Sequence, residues 1–583
     1  MVRTKQLAVL AIAAVLMLSA CSSGVTVTPS AGATPAASGA ATPAATTPAA
    51  SAAATPAASA AATPAPTTAP TTAPSPTAAA AEKVANFLLY FKGKNWNPLA
   101  LTNGPDVQRM ILVYDVLVIV SNRAEYEGRL AESWTVSPDA KTYTFKLRPG
   151  LKWSDGEAFT SSDVLFTYKL LVNPKVSQQA GRFTGVVGAD TLTAEGLEVP
   201  AGLRAPDANT FEIELKEPDA GFLFKLAWPF SGILPEHLLS GVTAADLTEE
   251  TLNPFFLGPT TGMGPFTFVE EVQDQYTELV KNPNHWRPVA MDRVFLKELT
   301  SDVAAAQLRT GELDLAQTTA DEASTLDALD NVVVESEPGL GPIRMAWSNK
   351  QEYLKDKRIR QAILHAIDRQ AIVDEVLQGR GSVINNYILG PDWALPSGLN
   401  AYPYDPERAK QLLTEAGWDF NRTVKVQWLP GRRDRDTTLN IVQGQLAAIG
   451  FKLELNPLEA GPYVENLESR DFEFTLYGGG NYAFEPDAIS QYLLCDQPFP
   501  TGAAFFCDET GEVDRLILEG RSVADQAQRA TVYQELSRLL NDVIPEVWLY
   551  LPDTVWGRSE RLQGFKPHGD FLSMFWNAAE WSV

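Results

Sequence analysis

The chain has 583 residues, of which 45% are hydrophobic, and its 71 acidic and 47 basic side chains give a formal net charge of −24. This acidic balance argues against nucleic acid or an anionic lipid surface as a partner. The four histidines are scattered singly, and the chain contains no Walker loop, no G-x-S-x-G elbow and no H-E-x-x-H motif. We therefore expect neither an enzyme nor a cofactor or metal site.

The first residues have the pattern of a secretory signal. Arg3 and Lys5 precede an apolar run from Leu7 to Leu18. At about a dozen residues, this run is too short for a permanent membrane-spanning helix, which needs about 20. The residues before Cys21 resemble the bacterial lipobox, whose cysteine becomes the new N-terminus and receives a diacylglycerol. We expect residues 1–20 to be a lipoprotein signal peptide and Cys21 the lipid attachment site; a chance cysteine behind a plain signal is the alternative.

A low-complexity segment follows the signal. Residues 22–81 contain only Ser, Gly, Val, Thr, Pro and Ala. Such a segment cannot bury enough apolar surface to offset the entropy lost on ordering. We expect a disordered tether over residues 21–82, followed by a body of about 500 residues that is large enough for two or three domains.

The body begins with strand, turn and helix signals. The run "VANFLLYF" at residues 84–91 is continuously apolar, as expected of a buried strand. Residues 142–147 alternate apolar and polar side chains, which predicts a half-buried strand, and Leu151 and Trp153 mark a second, short strand. Thr160 and Asp163 have the spacing of a capping box, which predicts a helix that continues through Leu171.

Six segments occur in collinear order over the body: "LAESWTVSPDAKTYTFKLRPGLKWSDGEAFTSSDV", "GMGPFTF", "NPNHWRP", "LRTGELDLA", "LKDKRIRQAILHAIDRQAIVDEVLQGRG" and "YDPERAKQLLTEAGW". Together they resemble successive segments of the extracellular solute-binding proteins of the peptide, nickel and oligosaccharide family of ABC importers, known as family 5. The resemblance implies an α/β fold with two lobes, of the type II periplasmic-binding-protein class, and an extra strand-rich subdomain on lobe I.

Local patterns in the second half agree with an α/β fold. The last of these segments predicts a helix with its cap at Asp405, Pro406 in the first turn and Gly417 as its stop. Strands at "VKVQWLP" and "FKLELNPL" flank a helix at "TTLNIVQGQLAAIG", an order that implies parallel strands. The expected organisation is lobe I over 83–97, 234–332 and 545–583, an inserted subdomain over 98–233, and lobe II over 333–544.

Only two cysteines follow Cys21. Cys495 and Cys507 lie in one loop-rich segment, and further metal ligands at short spacing are missing from it. Outside the cytoplasm a close pair of cysteines favours a disulfide over two free thiols.

Candidate ligand-binding residues lie where strands end, because ligands of open α/β sheets bind beyond the carboxyl ends of the strands. One strand ends at Trp428, and another ends at Tyr477 before the turn Gly478 to Gly480, whose glycines allow close approach of a ligand; a plain turn is the alternative. Trp347 and Asn349 end a third strand, where core packing of the tryptophan is equally compatible. The candidates are Trp347, Asn349, Trp428, Arg432, Arg433, Tyr477, Gly479, Gly480, Asn481, Tyr482 and Glu485.

The turn after Tyr477 departs from its peptide-binding relatives. Their motif G-W-x-x-D-Y-x-[DE]-P, aligned on Glu485-Pro486, places Tyr482 where an aspartate holds the ligand's α-amino group. Glu485 or Asp487 could substitute for it. The loop "GRRDRD" at residues 431–436 offers arginines for a ligand carboxylate, as in dipeptide-binding relatives, or forms a solvated loop.

The resemblance implies a lipid-anchored, extracytoplasmic and monomeric receptor that captures a peptide or similar small solute and delivers it to a permease with separate ATPase subunits. Oligosaccharides and chelated nickel are alternative ligands of the same fold, and the scarcity of histidine disfavours direct nickel capture. A sensor or chaperone role and a tethered hydrolase are the alternatives of other classes.

Overall fold

The computed structural model of the chain describes residues 81–89, 93, 95–100, 104–192, 197–248, 253–479, 485–495 and 506–583. The predicted signal, Cys21 and nearly all of the predicted tether lie outside these residues, as do Gly480, Asn481 and Tyr482. None of the helices in the described ranges combines the length and apolar character needed to cross a bilayer.

The strands are β1 (Val84–Leu89), β2 (Val118–Val120), β3 (Tyr126–Gly128), β4 (Ala131–Val136), β5 (Thr142–Leu147), β6 (Leu203–Asp207), β7 (Thr210–Glu214), β8 (Phe266–Val272), β9 (Tyr276–Lys281), β10 (Arg293–Glu298), β11 (Leu315–Thr318), β12 (Val332–Pro338), β13 (Ile343–Trp347), β14 (Gly381–Ser382), β15 (Thr423–Trp428), β16 (Lys452–Pro457), β17 (Phe474–Gly478) and β18 (Val547–Ser559).

The helices are α1 (Gly104–Val113), α2 (Ser161–Leu171), α3 (Phe222–Leu226), α4 (Glu236–Leu239), α5 (Ala244–Thr248), α6 (Ser301–Thr310), α7 (Ala320–Leu326), α8 (Lys357–Ala366), α9 (Arg369–Val376), α10 (Pro406–Glu415), α11 (Arg433–Ala448), α12 (Ala460–Ser469), α13 (Ser490–Leu493), α14 (Glu512–Ser522) and α15 (Gln526–Val543).

One sheet runs through both lobes in the order β16-β15-β17-β13-β18-β11-β1-β10-β9-β8. The long strand β18 joins the two lobes, because its first residues pair with β13 and β14 and its last residues pair with β11 and β12. Each lobe has its own apolar core. The core of lobe I is built from residues between Ala85 and Leu340 together with residues from Trp556 to Trp581, whereas that of lobe II lies between Ile343 and Tyr550.

A separate antiparallel sheet, β4-β5-β7-β6, packs into the lobe I core. In β5 the alternate residues Tyr143, Phe145 and Leu147 are buried, as their spacing predicts. The capping box of α2 is present, with Thr160 accepting from the backbone of the first turn and Asp163 accepting from the amide of Thr160. The second short strand expected at Leu151 and Trp153 is reduced to a single bridge between Lys152 and Ala158, since the chain turns at once.

The lobe II sheet contains the expected strand, helix and strand unit. β15 and β16 are parallel, and α11 connects them. The predicted helix begins earlier than its apolar pattern suggests, at Arg433, because Asp434 and Asp436 in the first turn favour the positive end of the helix dipole. The loop expected at residues 431–436 is therefore mostly the first turn of a helix.

Candidate ligand-binding cleft

The candidate site lies at the edge of the lobe II sheet where β13 begins and β17 ends. The two strands are antiparallel, so Arg344 pairs with Tyr477 at this edge. Gly479 follows with a φ of +104°, a left-handed conformation that glycine adopts at little cost. A Cβ atom on Gly341 would lie 2.5 Å from the Cα of Gly479, so two backbone segments touch here. The edge therefore exposes backbone that a ligand can approach closely.

Arg344 organises this edge. Its side chain is fully buried, its Nε lies 2.7 Å from a carboxylate oxygen of Glu546, and its Nη1 donates to the carbonyl of Gly479 over 2.8 Å. The guanidinium also lies 4.6 Å from the ring centre of Tyr477 and 5.5 Å from that of Tyr492. Burial raises the pKa of both phenols, so they stay neutral and offer apolar ring faces with a hydroxyl at the tip.

Arg435 is a second cation beside the turn. It lies in the first turn of α11, and a Cβ atom on Gly478 would come within 2.6 Å of its Nη2, so glycine at 478 makes room for the guanidinium. The Nε of Arg435 is buried and has no hydrogen-bond partner among the described residues. Burial, together with the charge of Arg432, lowers the pKa of Arg435.

Lobe I contributes an aromatic and cationic wall. Trp228 stacks on Phe230 with ring centres 5.4 Å apart, and the guanidinium of Arg182 lies 4.5 Å from the ring centre of Phe230. Arg182 is exposed to solvent. Arg182 and Tyr492 of lobe II influence each other's pKa, so the two side chains lie in the same region of the molecule.

The structure places Trp347 and Asn349 at the wrong end of the sheet for this cleft. β13 runs away from the cleft edge, so Trp347 pairs with Phe474, at the start of β17. Trp347 is buried in the lobe II core, with Arg360 4.8 Å from its ring centre and Phe506 at 5.9 Å. The tryptophan is a core residue, which agrees with the core-packing alternative that the sequence left open. Its position at the far end of the strand follows from the strand direction, which the sequence does not show.

Trp428, Arg432 and Arg433 are close in sequence but have different roles. The indole of Trp428 is nearly buried and donates to Asp436 over 2.7 Å, which fixes the start of α11. Arg432 pairs with Asp434 at 3.1 Å. The Arg433 side chain is 87% exposed and pairs with Asp321 of α7 at 3.1 Å, so it bridges the lobes at the surface rather than lining the cleft.

Glu485 and Asp487 are committed to ion pairs. Glu485 lies 2.5 Å from Arg529, with both side chains below 10% exposure, and Asp487 lies 3.1 Å from Arg521. Burial raises the pKa of Asp487 to about 6 although Arg521 opposes the shift. We call Glu485, Asp487, Arg521 and Arg529 the ion-pair cluster. Neither of its acids is available as a substitute for the missing amino anchor.

The ion-pair cluster sits where lobe II meets lobe I. The amide of Ala220 in lobe I donates to the carbonyl of Arg521 over 2.8 Å. A Cβ atom on Gly221 would lie 3.2 Å from side-chain atoms of both acids, so the glycine allows this close contact. The contact joins the lobes independently of the aromatic walls.

A wider, open hollow of about 650 Å³ is lined by residues from the segments 121–127, 335–337 and 565–576. Its lining includes four glutamates, Glu125, Glu127, Glu335 and Glu337. Glu335 is paired with Arg558 at 2.8 Å. No group of three or more metal-ligating side chains occurs in the described part of the chain.

Residues 125–500 match the sequence pattern of the bacterial extracellular solute-binding proteins, family 5, middle region. The chain belongs to this family. It is 28% identical over 485 residues to the oligopeptide-binding protein AppA of Bacillus subtilis, a match that covers 79% of the chain and 84% of AppA. It is also 31% identical over 487 residues to a Brucella ovis protein named as an ABC transporter peptide-binding protein, covering 82% and 88% of the two chains.

The fold agrees with this assignment. The solved structure of Bacillus subtilis AppA in complex with a nonapeptide matches with a TM-score of 0.68 and 25% identity, over 86% of this chain and 99% of that one. The family and the two-lobed α/β fold expected from the sequence are therefore confirmed. The relatives are solute-binding receptors.

Of the candidates expected from the sequence, the structure brings Tyr477 and Gly479 together at the cleft. Arg435 belongs to the loop at residues 431–436 that was expected to offer arginines. Arg344, Tyr492, Arg182 and Trp228 were not among the expected candidates. Arg344 could have been suspected, because a cation at the start of a strand is unusual. Arg182 and Trp228 carry no such signal, since only the closed approach of lobe I brings them to this site.

Proposed function

We propose that the protein is the solute receptor of an ABC importer, which binds a peptide or a similar solute between its lobes and delivers it to the permease. The observation that carries the proposal is the relatedness to an oligopeptide-binding protein over 79% of the chain. The cleft supports it, because exposed backbone at Gly479 and neutral tyrosine rings suit an extended, amide-rich ligand.

The mechanism of binding that we propose depends on a ligand contacting both lobes at once. A solute that touches Tyr492 on lobe II and Arg182 on lobe I gains both sets of contacts only when the lobes are closed. It therefore shifts the population towards the closed form, which the permease recognises. The strand β18 and the segment between β12 and β13 connect the lobes and are the positions where a hinge can act.

The proposal includes the anchoring and organisation expected from the sequence. The acyl chains on Cys21 hold a monomer at the outer face of the membrane, and the tether lets the body reach the permease. The expected division gives lobe I residues 83–97, 234–332 and 545–583 with the subdomain 98–233, and lobe II residues 333–544. The boundaries fall within the strands that cross between the lobes, since β12 pairs with the last residues of β18 and Val547–Tyr550 pack in the lobe II core.

Peptide consumption tests this function. A strain lacking the gene is grown in medium that contains an isotope-labelled tryptic digest, and disappearance of each peptide is followed by mass spectrometry. We expect a subset of peptides to persist in the medium, and wild-type protein or the Arg408→Gln variant to restore their uptake, since Arg408 is exposed on α10 and pairs with Glu415 of the same helix. Identical consumption profiles with and without the gene would contradict the proposal.

A further inference from the structure

A turn of lobe I, at residues 219–221, contacts lobe II at the ion-pair cluster. The amide of Ala220 donates to the carbonyl of Arg521 over 2.8 Å. Arg521 lies in the last turn of α14, whose carbonyls have no partners within the helix, so lobe I completes the end of a lobe II helix. An added Cβ atom on Gly221 would lie 3.2 Å from side-chain carbons of both acids of the cluster, which is tighter than ordinary van der Waals contact. The lobes therefore meet here through backbone, with no room for a side chain between them.

The lobe II side of this contact is formed by lobe II alone. Glu485 pairs with Arg529 and Asp487 pairs with Arg521, and all four residues belong to lobe II. Because both acids have their partners within one lobe, they are neutralised before the lobes meet. Closure therefore buries no unpaired charge at this contact, which removes the main cost of burying carboxylates.

The lobe I side is likewise held by contacts within its own lobe. The carboxylate of Asp219 accepts from the amide of Gly221 over 3.1 Å and from the Nζ of Lys225 over 2.7 Å. The carbonyl of Asp219 accepts from the hydroxyl of Tyr143. Two surfaces that are already ordered lose little conformational entropy when they meet. The contact therefore favours closure without the help of a ligand.

We propose that the turn at residues 219–221 and the ion-pair cluster form a latch that holds the lobes closed in the absence of ligand, so that the free receptor exchanges between an open form and a populated closed form. This inference rests on the proposed function and specifies how its binding step is regulated. The latch stabilises the closed form whatever the cleft holds, so it changes the affinity for every ligand by the same factor.

Spin-label distances in the ligand-free protein test the latch. The labels are attached at Val199→Cys in the inserted subdomain of lobe I and at Tyr404→Cys in lobe II, where both side chains are exposed. The labelled protein is freed of ligand by reversible unfolding with its disulfide intact, and double electron–electron resonance gives the distribution of distances. We expect two distances before any peptide is added, and the shorter one should equal the separation in the structure described here.

Gly221→Leu inserts a side chain where the lobes touch. The φ of Gly221 is −88°, so leucine is compatible with the lobe I backbone, and the nearest atoms that it meets belong to lobe II. The ratio of closed to open molecules should fall about fivefold or more, as expected for the loss of a hydrogen bond and its packing, and Gly221→Ala should lower it less. Gly185→Leu in the same subdomain is the matched control, since an added Cβ atom there meets nothing within 4 Å. Melting temperatures show that each variant is folded.

The outcomes separate the latch from the proposed function. A single long distance in the free wild-type protein overturns the latch, and so does an unchanged ratio in Gly221→Leu or an equal fall in Gly185→Leu. None of these results alters the receptor function, which the uptake of labelled peptides decides. Peptide uptake that does not depend on the gene, together with two distances that respond to Gly221→Leu, would overturn the function and support the latch.

Discussion

Among single residues, Glu485 shows that the partner of a side chain decides its role. Its chemistry suits a ligand's ammonium group, and its position in the sequence motif pointed to the ligand turn. The fold instead gives it Arg529 as a buried partner and places both at a contact between the lobes. A motif residue can be recognised from sequence, but the arginine that neutralises it comes from α15, and that pairing requires the tertiary structure.

Glu485→Gln should lower the free energy of unfolding by about 3–5 kcal/mol, because Arg529 is left as an unpaired buried charge. Ligand affinity of the protein that remains folded should be nearly unchanged. Urea unfolding and calorimetry on the same preparation measure both quantities. Glu352→Gln is the control, since Glu352 is 81% exposed in its pair with Lys355 and its loss should barely alter stability. Loss of ligand affinity at unchanged stability would return Glu485 to the ligand site.

A helix or strand could be predicted from sequence where one stretch of chain contains the residues that begin it, the residues that end it and the apolar residues that form its buried face. α10 begins after the Asp405 cap with Pro406 in its first turn and buries Ala409, Leu412 and Leu413, as its spacing predicts. Strand direction has no local signal. The antiparallel insertion of β13 between β17 and β18 is set by the whole sheet, and it moved Trp347 from the expected cleft into the core.

The segment that covers Trp347 depends on a covalent link. Cys495 and Cys507 are joined as a disulfide, and the neighbouring Phe506 packs on Trp347 in the lobe II core. The residues between 495 and 506 lie outside the described part of the chain. Their sequence is short, so the link holds Phe506 within reach of the core.

Cys495 and Cys507 should both resist thiol labelling in the native secreted protein until reductant is added. The separation of 12 residues gives a stabilisation of about 3 kcal/mol in the chain-entropy estimate, so Cys495→Ser/Cys507→Ser should lower the unfolding free energy by that order. Labelling with mass detection and urea unfolding provide the two measurements. Stoichiometric labelling of the unreduced native protein would disprove the link.

For the molecule as a whole, fold and family were predictable because six segments spread over the body occur in the family's order. The composition excluded large classes of function, and the low-complexity tether was visible in the residue types alone. The facing walls of the cleft were not predictable. Arg182 and Tyr492 are 310 positions apart in sequence numbering and meet only because β18 joins the two lobes.

The lipid anchor at Cys21 is predicted from the sequence that precedes the folded body. Cys21→Ala should leave a folded protein with unchanged ligand affinity but release it from membranes, because acyl chains and not the acidic body provide the attachment. Membrane and soluble fractions of cells producing either form are compared by immunoblot after a salt wash. Retention of the alanine variant in the washed membranes would contradict the assignment of Cys21.

The central claim is that this protein captures a peptide-like solute between two lobes. The most direct measurement is mass spectrometry of the ligand released by denaturation from protein purified gently from its own cells. The account predicts short peptides or peptide-like solutes, in roughly one-to-one ratio with the protein. Release of a neutral oligosaccharide or a nickel chelate, with no peptide-like component, would contradict it.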